Sequence, residues 1–441
     1  MQVSHVGLPM TATIDHETSA ARGDDSAPSP SPTEAPPAPT IAPSTAEEPQ
    51  LFTHIDTMRP RVLFTAYEEF DAVSPLCRNN FTKGVKVSPD GLCLLTNSDD
   101  HVLRLFEMSS DQSQPHSSIL QAREGGTVYD YAWYPFMSSA NPSSCIFVST
   151  SRDHPVHLWD AYTGALRASY RSFDHLDELA SAQSVAFNAT GDKLFAGFDR
   201  MIRFFDLSQP SRDFHARPLS KTRRSRKGQR GLISSLHFNP DFSKIYAAGS
   251  YAGTTCVYTE DEGEELLALR DHDGRGISQV RFSPCGRFLY TAARRDPSIH
   301  CWDIRATNQI LHTFHRVADS NQRVEFDVHC GGKYLATGSR SGRVLLYDTQ
   351  TGALLDERIQ LPDCANGVSF FPDPSRATLA VSSGQRHYDL PSDMQVEEED
   401  GDADKAVEIA DKTDGRPPYR NLLQVYDFQA PQEQIQLVSE P

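Results

Sequence analysis

QVRFSPCGRFLYTAARRDPSIHCWD, residues 279–303, is the stretch of sequence that decides the fold. It contains three short segments in which apolar and polar residues alternate, separated by the turns 283–286 and 294–297. Alternation with a period of two is typical of β-strands that bury one face. Because a unit this small cannot bury both faces alone, the pattern predicts a repeated β-structure.

Six further copies of this unit occur along the chain. They are VKVSPDGLCLLTNSDDHVLRLFE (85–107), YAWYP with CIFVSTSRDHPVHLWD (131–160), SVAFNATGDKLFAGFDRMIRFFD (184–206), SLHFNPDFSKIYAAGSYAGTTCVYT (235–259), VEFDVHCGGKYLATGSRSGRVLLYD (324–348), and VSFFPDPSRATLAVSSGQRH with NLLQVYD (368–427). Their spacing is close to the roughly 40 to 45 residues of a WD repeat. The sequence therefore predicts an all-β, seven-bladed WD40 β-propeller over residues 61–430, in which the segment 61–67 supplies the outer strand of the last blade.

Three segments fall outside this pattern. Residues 1–50 are rich in Pro, Ser, Thr and Ala without apolar periodicity, and residues 389–418 form an acidic, strand-poor interruption of the last repeat. Such compositions cannot offset the entropy of ordering. We predict a disordered N-terminal tail at 1–50, a disordered acidic loop inside the last blade at 389–418, and a C-terminal tail at 431–441.

Charge is distributed unevenly along the chain. The formal net charge is −17, and the N-terminal tail and the acidic loop hold most of it. The remaining chain is close to neutral, so it can still present a basic face to a phosphate backbone.

Several classes of protein are disfavoured by what the sequence does not contain. No apolar run approaches the roughly 18 residues needed to cross a bilayer, and the N-terminus has no secretion signal, so we expect an intracellular protein without a membrane partner. The eight cysteines occur singly, which predicts reduced and mostly buried thiols. No catalytic or nucleotide-binding motif is present, so we expect no enzyme activity, cofactor, metal or small-molecule substrate.

Four histidines receive a structural interpretation. His154 and His157 lie three residues apart around a turn, a weak metal signal, and we interpret them as surface polar residues at a strand start. His175 and His272 lie just ahead of repeats. At such positions this fold commonly uses a histidine for hydrogen bonds within a blade, and we predict that role for both.

Arginine recurs in the turns between the second and third strands of the repeats. These turns emerge on the same face of a propeller as the connections between blades, so five blades are expected to place guanidinium groups around one mouth. Guanidinium groups bind phosphate bidentately and stack on bases, which favours an RNA ligand. The predicted RNA-binding residues in these turns are Arg152, Arg200, Arg294, Arg295, Arg340 and Arg386.

A basic segment, RPLSKTRRSRKGQR at 217–230, leads into the fourth repeat. It is expected near the same face and contributes Arg223, Arg224, Arg226 and Lys227 to the predicted RNA site. Taken alone, the segment can be interpreted as a nuclear localisation signal, an RNA-binding loop or a solvated linker. The first two are compatible with each other.

Four stretches carry a family resemblance beyond the repeat pattern, and they include turns that folding does not require. They are NNFTKGVKVSPDGLCLLTNSDD (79–100), VYDYAWYPFMSSANP (128–142), SRDHPVHLWDAYTGALRASYRSFDHLDELASA (151–182) and LFAGFDRMIRFF (194–205). On these residues the chain resembles the telomerase Cajal body protein family, WD-repeat components of small Cajal-body ribonucleoproteins.

The resemblance implies an RNA-binding scaffold that recognises a loop box in H/ACA-type small Cajal-body RNAs and in telomerase RNA. It also implies H/ACA core proteins and the telomerase ribonucleoprotein as partners, and a location in Cajal bodies of the nucleus. Two alternative functions stay open. The first is a substrate receptor of a ubiquitin ligase, because residues 302–305, WDIR, fit a WDxR pattern by which some propellers dock onto a ubiquitin-ligase adaptor. The second is a generic protein-assembly scaffold.

Overall fold

The computed structural model describes residues 60–70, 79–108, 116–210, 213–220, 228–387 and 421–428. All of them belong to one compact unit, Pro49–Pro441. The predictions for residues 1–50, for the acidic loop at 389–418 and for the tail at 431–441 concern segments outside these ranges. No helix in the described ranges has the length and hydropathy needed to span a membrane.

Twenty-eight strands of the described residues form seven four-stranded antiparallel sheets. Strands are given from the innermost outward. Blade 1 comprises β2 (Thr82–Val87), β3 (Cys93–Ser98), β4 (Val102–Glu107) and β5 (Leu120–Arg123). Blade 2 comprises β6 (Val128–Trp133), β7 (Ile146–Ser151), β8 (Val156–Asp160) and β9 (Leu166–Tyr170). Blade 3 comprises β10 (Ser184–Phe187), β11 (Lys193–Phe198), β12 (Met201–Asp206) and β13 (His215–Pro218).

The remaining blades have the same order. Blade 4 comprises β14 (Ile233–Phe238), β15 (Ile245–Ser250), β16 (Thr254–Thr259) and β17 (Glu265–Leu269). Blade 5 comprises β18 (Ile277–Phe282), β19 (Phe288–Ala293), β20 (Ser298–Asp303) and β21 (His312–His315). Blade 6 comprises β22 (Phe326–Val328), β23 (Tyr334–Thr337), β24 (Arg343–Asp348) and β25 (Leu354–Gln360). Three short 3₁₀ turns lie at Glu68–Phe70, Pro142–Ser144 and His272–Gly274.

The two ends of the described chain meet in blade 7. This blade comprises β26 (Ala365–Phe370), β27 (Thr378–Ser383), β28 (Leu422–Asp427) and, outermost, β1 (Arg61–Ala66). β1 pairs antiparallel with β28, with Arg61 opposite Asp427 and Thr65 opposite Gln424. The predicted seven-bladed all-β propeller is therefore confirmed, including the use of the first strand to complete the last blade.

Side-chain hydrogen bonds join the innermost strands of neighbouring blades. Since each blade buries its apolar faces against the next, these polar links set the register between blades. In ring order they are Trp133 Nε1 to Lys86 O (3.1 Å), Val185 N to Asp130 Oδ2 (3.1 Å), Ser184 Oγ to Ile233 O (2.8 Å), Val280 N to Ser235 Oγ (3.1 Å), Phe326 N to Gln279 Oε1 (2.9 Å), Phe370 N to Asp327 Oδ2 (2.8 Å) and Val87 N to Ser369 Oγ (3.2 Å).

A buried polar network holds the third strand of blade 5. His272 Nδ1 lies 2.9 Å from Asp296 Oδ2, and its Nε2 lies 3.0 Å from Thr291 Oγ1. Trp302 Nε1 donates to the same Thr291 hydroxyl at 3.2 Å. The structural role predicted for His272 is thus confirmed. The same prediction for His175 is wrong, because His175 is exposed in the connection after blade 2.

The described cysteines agree with the expectation of reduced thiols. All seven are free. Five of them are buried, and the other two, Cys285 and Cys330, are exposed. Burial raises the pKa of the Cys256 thiol to about 12, which keeps it protonated and unreactive.

Candidate nucleic-acid interface

One end of the propeller carries the turns that follow each second strand. Because strands alternate in direction within a blade, these turns emerge at the same end as the connections that lead to the next blade. We call this end the arginine face and the other end the opposite face. All six described arginines of the predicted site lie on the arginine face: Arg152 after β7, Arg200 after β11, Arg294 and Arg295 after β19, Arg340 after β23 and Arg386 after β27.

Four of these arginines form ion pairs with acidic neighbours on the same face. The pairs are Arg152 with Asp153 (3.3 Å), Arg200 with Asp199 (2.9 Å), Arg340 with Asp319 (2.6 Å) and Arg386 with Asp99 (3.0 Å). Sequence reasoning counted the arginines without these acids, so it overestimated the net positive charge of the face. The pairs of Arg152 and Arg340 are the two in which both side chains are well exposed; such pairs are weak and can exchange for a phosphate.

The two arginines of blade 5 differ from the other four. The Arg294 guanidinium lies 3.6 Å from the ring centroid of Tyr251, which occupies the corresponding turn of blade 4. Arg295 is exposed, and its backbone has φ of 55°, a left-handed conformation that turns rather than strands adopt. Blade 4 therefore contributes an aromatic ring where five other blades contribute arginine. Sequence reasoning missed Tyr251, although its position in the turn GSYAG was a usable signal.

A second aromatic and basic group lies where blades 7 and 1 meet. Lys83 and Arg386 both contact Asp99, at 2.9 and 3.0 Å, and both lie over the Phe81 ring, at 5.6 and 5.8 Å from its centroid. Burial acts to raise the pKa of Asp99, but Lys83 and Arg386 outweigh it and hold the pKa below its ordinary value. Asp99 stays ionised, so it holds two cations around one ring. This group was not predicted, except for Arg386.

The basic segment of the predicted site lies largely outside the described residues. Arg223, Arg224, Arg226 and Lys227 fall between the described ranges that end at Ser220 and begin at Gly228. This connection joins β13 to β14, so it is attached at the arginine face. Gln229, fully buried, anchors its far end by donating from Nε2 to Ala248 O (2.7 Å) and Thr254 O (3.0 Å).

The histidines that resemble metal ligands have hydrogen-bond partners. His157 is not the surface residue we expected, because its Nδ1 lies 3.0 Å from Glu124 in a network inside blade 2. His154 Nδ1 lies 2.6 Å from the Arg152 carbonyl oxygen. Among the described residues, Asp271, His272 and His300 form the one cluster with metal-ligand spacing, and His300 Nδ1 lies 2.8 Å from Asp271 in the blade 5 network.

The WDxR residues of blade 5 lie at the start of a turn on the opposite face. The Arg305 guanidinium pairs with Asp303 at 2.6 Å within its own turn. A partner that recognised this arginine would compete with that ion pair.

Comparisons with known proteins identify relatives over most of the chain. A profile of the "WD domain, G-beta repeat" family matches residues 263–303, which comprise the outer strand of blade 4 and the first three strands of blade 5. Telomerase Cajal body protein 1 of Mus musculus is 40% identical over 364 residues, covering 79% of this chain and 66% of the relative.

The protein of the same name from Rattus norvegicus is 39% identical over 374 residues, covering 81% of this chain and 68% of the relative. A Drosophila melanogaster homologue is 33% identical over 332 residues, covering 70% of this chain and 58% of the relative. The aligned part therefore spans about two thirds of the mammalian proteins. With about 40% identity over roughly four-fifths of its length, the chain belongs to the telomerase Cajal body protein 1 family.

Proposed function

We propose that the arginine face binds RNA and that the protein is a scaffold for small ribonucleoproteins. The observation that carries the proposal is that five blades each supply arginine to one face, beside the ring of Tyr251. Guanidinium groups bind phosphates and stack on unpaired bases, and aromatic rings stack in the same way. A folded RNA with an exposed loop presents both phosphates and unpaired bases.

The proposed ligands are H/ACA-type small Cajal-body RNAs and telomerase RNA, recognised through a box in a terminal loop. The names of the relatives, which include telomerase and the Cajal body, support this choice. In this proposal the protein recruits the particles to Cajal bodies in the nucleus and contacts H/ACA core proteins and the telomerase ribonucleoprotein. Its role is assembly rather than catalysis.

The four ion pairs leave room for phosphate. An arginine has five N–H donors, and one carboxylate occupies at most two of them. Arg152 is the most exposed of the paired arginines, and its single contact is also the longest. We therefore place the first phosphate contact at blade 2, with Arg200 and Arg340 contributing as the RNA displaces their acids.

Charge reversal tests the proposal. Changing Arg152, Arg200, Arg294 and Arg340 together to Glu should lower affinity for an H/ACA terminal-loop hairpin by roughly 100-fold or more, because each phosphate contact is lost and replaced by repulsion. Thermal stability should change little, since exposed turn charges contribute little to folding. Fluorescence anisotropy measures the first quantity and calorimetry the second.

The matched control has the same change in net charge on the opposite face, at Lys244, Arg287, Arg305 and Arg376. Those residues lie in turns that follow first or third strands. A control variant that loses as much affinity as the test variant, or a test variant that binds normally, would remove the arginine face as the RNA site. In cells, crosslinking should enrich H/ACA loops with the wild type and not with the test variant.

A further inference from the structure

A cavity of about 510 Å³ lies on the propeller axis, lined by the innermost strands of all seven blades. Its outer wall is formed by residues of the turns after the first strands, among them Pro135, Phe136, Pro240 and Phe242. These turns belong to the opposite face. The cavity therefore opens away from the arginine face and is separate from the proposed RNA site.

Arg323 crosses the inner end of this cavity. It leaves the connection before β22 and donates from Nε to Ser278 O (3.1 Å) in blade 5 and from Nη2 to Ser234 O (2.9 Å) in blade 4. Its Nη1 lies 3.6 Å from Asp130 in blade 2. The Arg323 side chain therefore contacts blades 2, 4 and 5 from the connection that precedes blade 6. It places a positive charge at the inner end of the cavity.

The cavity contains three basic and three acidic side chains, but they are not equally accessible. The basic side chains are 32% (Lys86), 35% (Arg281) and 23% (Arg323) exposed. The acidic ones are turned into the wall, with exposures of 8% for Asp130, 4% for Asp327 and 7% for the residue Glu325. The charge that a ligand meets in this cavity is therefore positive.

Two of the acidic side chains, Asp130 and Asp327, form hydrogen bonds and ion pairs with other residues of the propeller. Asp130 accepts hydrogen bonds from Val185 N (3.1 Å) and Lys86 Nζ (3.1 Å). Asp327 accepts from Phe370 N (2.8 Å) and Val328 N (2.6 Å), and pairs with Arg281 at 2.7 Å. Arg281 keeps further N–H donors that make no hydrogen bond within the described residues.

Glu325 is the exception among the acids. It lines the cavity, is more than nine-tenths buried, and its carboxyl group has no hydrogen bond to any described residue. A Cβ at Gly84 would lie 2.9 Å from its Oε2, so the glycine leaves space for this group. Burial raises its pKa to about 7, with Asp130 and Asp327 acting in the same direction and Lys86 and Arg323 against it. In its neutral form the carboxyl group can donate a hydrogen bond.

We propose that this cavity binds an organic anion, a carboxylate or phosphate group carried on an apolar or aromatic body. The anion contacts Arg281, Lys86 and neutral Glu325, and the apolar body lies against Phe136 and Phe242 at the mouth. Both rings are at least half exposed, and Phe242 has φ of 59°, a costly conformation for a bulky residue. The volume falls within the roughly 300 to 1,000 Å³ typical of ligand sites.

Binding of the anion is coupled to a proton. An anion beside Glu325 favours its neutral form, so affinity rises as pH falls through 7. Two other groups of the cavity do not change charge near pH 7. Burial acts to lower the pKa of Arg323, but Asp130 leads the groups that outweigh burial and raise that pKa. Burial lowers the pKa of His237 to about 3, which keeps it neutral.

Ligand-observed NMR on the full chain tests the proposal with four probes. Phenylacetate, phenyl phosphate and the peptide acetyl-Phe-Asp-amide present the anion from three sources, and phenethylamine is the cationic control. At least one anionic probe should give saturation transfer, more strongly at pH 6 than at pH 8, and phenethylamine should not. The anionic probe with the strongest signal identifies the source: small carboxylate, phosphate ester or acidic peptide.

Variants assign the signal to the cavity. R281Q and F242S, the second at an exposed ring, should each weaken binding roughly tenfold, the cost of one charged hydrogen bond or one aromatic contact. E325Q should keep binding and lose its pH dependence, because Gln imitates the neutral acid. L176S, at an exposed leucine on the arginine face, is the matched control and should bind normally. Preference for phenethylamine, loss of binding in E325Q, or no transfer to any anionic probe would overturn the proposal.

Discussion

Chemically different side chains occupy one position at the inner edge of the arginine face. The connections before blades 2, 4, 5 and 6 each contain a buried polar residue of this kind: Glu124, Gln229, His272 and Arg316 respectively. Each bonds the second or third strand of its blade: Gln229, for instance, accepts from Tyr258 Oη at 3.2 Å, and Arg316 donates to Thr337 Oγ1 at 2.9 Å. The partner changes with the residue, so each of these four blades keeps a hydrogen bond from this position to one of its strands. Blade 5, with His and Trp, is also where the repeat profile matches.

The histidine network predicts a stability change at a single residue. H272A removes a buried side chain that bonds both Asp296 and Thr291, and it leaves the Asp296 carboxylate without its imidazole partner. We expect a loss of roughly 2 to 4 kcal/mol in unfolding free energy, because a broken buried network leaves its partners unsatisfied. Differential scanning calorimetry measures the drop in Tm. H175A, at an exposed position, is the control, and equal losses in the two variants would contradict this role.

Glu325 predicts how stability depends on pH. Burial raises its pKa to about 7, so the folded state binds this proton more tightly than the unfolded chain does. The stabilisation from the bound proton is complete below the unfolded pKa and is lost as pH rises through 7. E325Q is neutral at every pH. It should therefore match the wild type near pH 4.5 and be more stable at pH 8, by up to about 3 kcal/mol.

Melting temperatures of both proteins at the two pH values provide the measurement. E357Q is the control, since Glu357 is half exposed and pairs with Arg343 at 3.0 Å on the surface. A difference between E325Q and the wild type that stays constant with pH would show that Glu325 is not the titrating group.

The individual residues show which part of the site could be read from sequence. The turn arginines were predictable, because the repeat alignment assigns each to a turn and all such turns share a face. Two of their acidic partners were not, since Asp319 reaches Arg340 from a different connection and Asp99 reaches Arg386 from blade 1. Glu325 and Arg323 were missed for a related reason. Charged residues beside a strand usually indicate a solvated face, and only the closed ring brings them into one cavity.

At the scale of elements, β1 closes the ring through packing as well as pairing. Phe64, buried in β1, packs edge-on against Phe106 of blade 1, with centroids 5.9 Å apart, and stacks on His116 at 4.4 Å. Phe64, a residue of the last blade, therefore also packs against the first blade. The closing strand was predictable from its apolar pattern, whereas this contact with the neighbouring blade was not.

This packing predicts the effect of weakening the closure. F64A should lower the unfolding free energy by roughly 3 to 5 kcal/mol, the usual cost of removing a buried phenylalanine. V62A, in the same strand but with an exposed side chain, should cost well under 1 kcal/mol. Urea denaturation followed by tryptophan fluorescence compares the two. If V62A were as destabilising as F64A, strand pairing rather than packing would dominate the closure.

At the scale of the whole molecule, the protein has a negative net charge, and its arginine face carries both arginines and acidic residues. The net charge of −17 would oppose RNA at long range, and low salt would strengthen that repulsion. Local phosphate contacts must outweigh it, so the acids paired with the arginines set the affinity. Asp153 and Asp319 are largely exposed and each contacts one described arginine of the face.

Removing those two acids should strengthen RNA binding. The double variant D153N/D319N frees Arg152 and Arg340, and we expect affinity for an H/ACA loop hairpin to rise roughly three- to tenfold, with a steeper dependence on salt. The control, D261N/D303N, changes the net charge equally but frees Lys244 and Arg305 on the opposite face. Anisotropy titrations from 50 to about 200 mM salt separate the cases. An equal gain in both variants would mean that net charge, and not the arginine face, controls binding, because only a local contact can distinguish acids on opposite ends of the propeller.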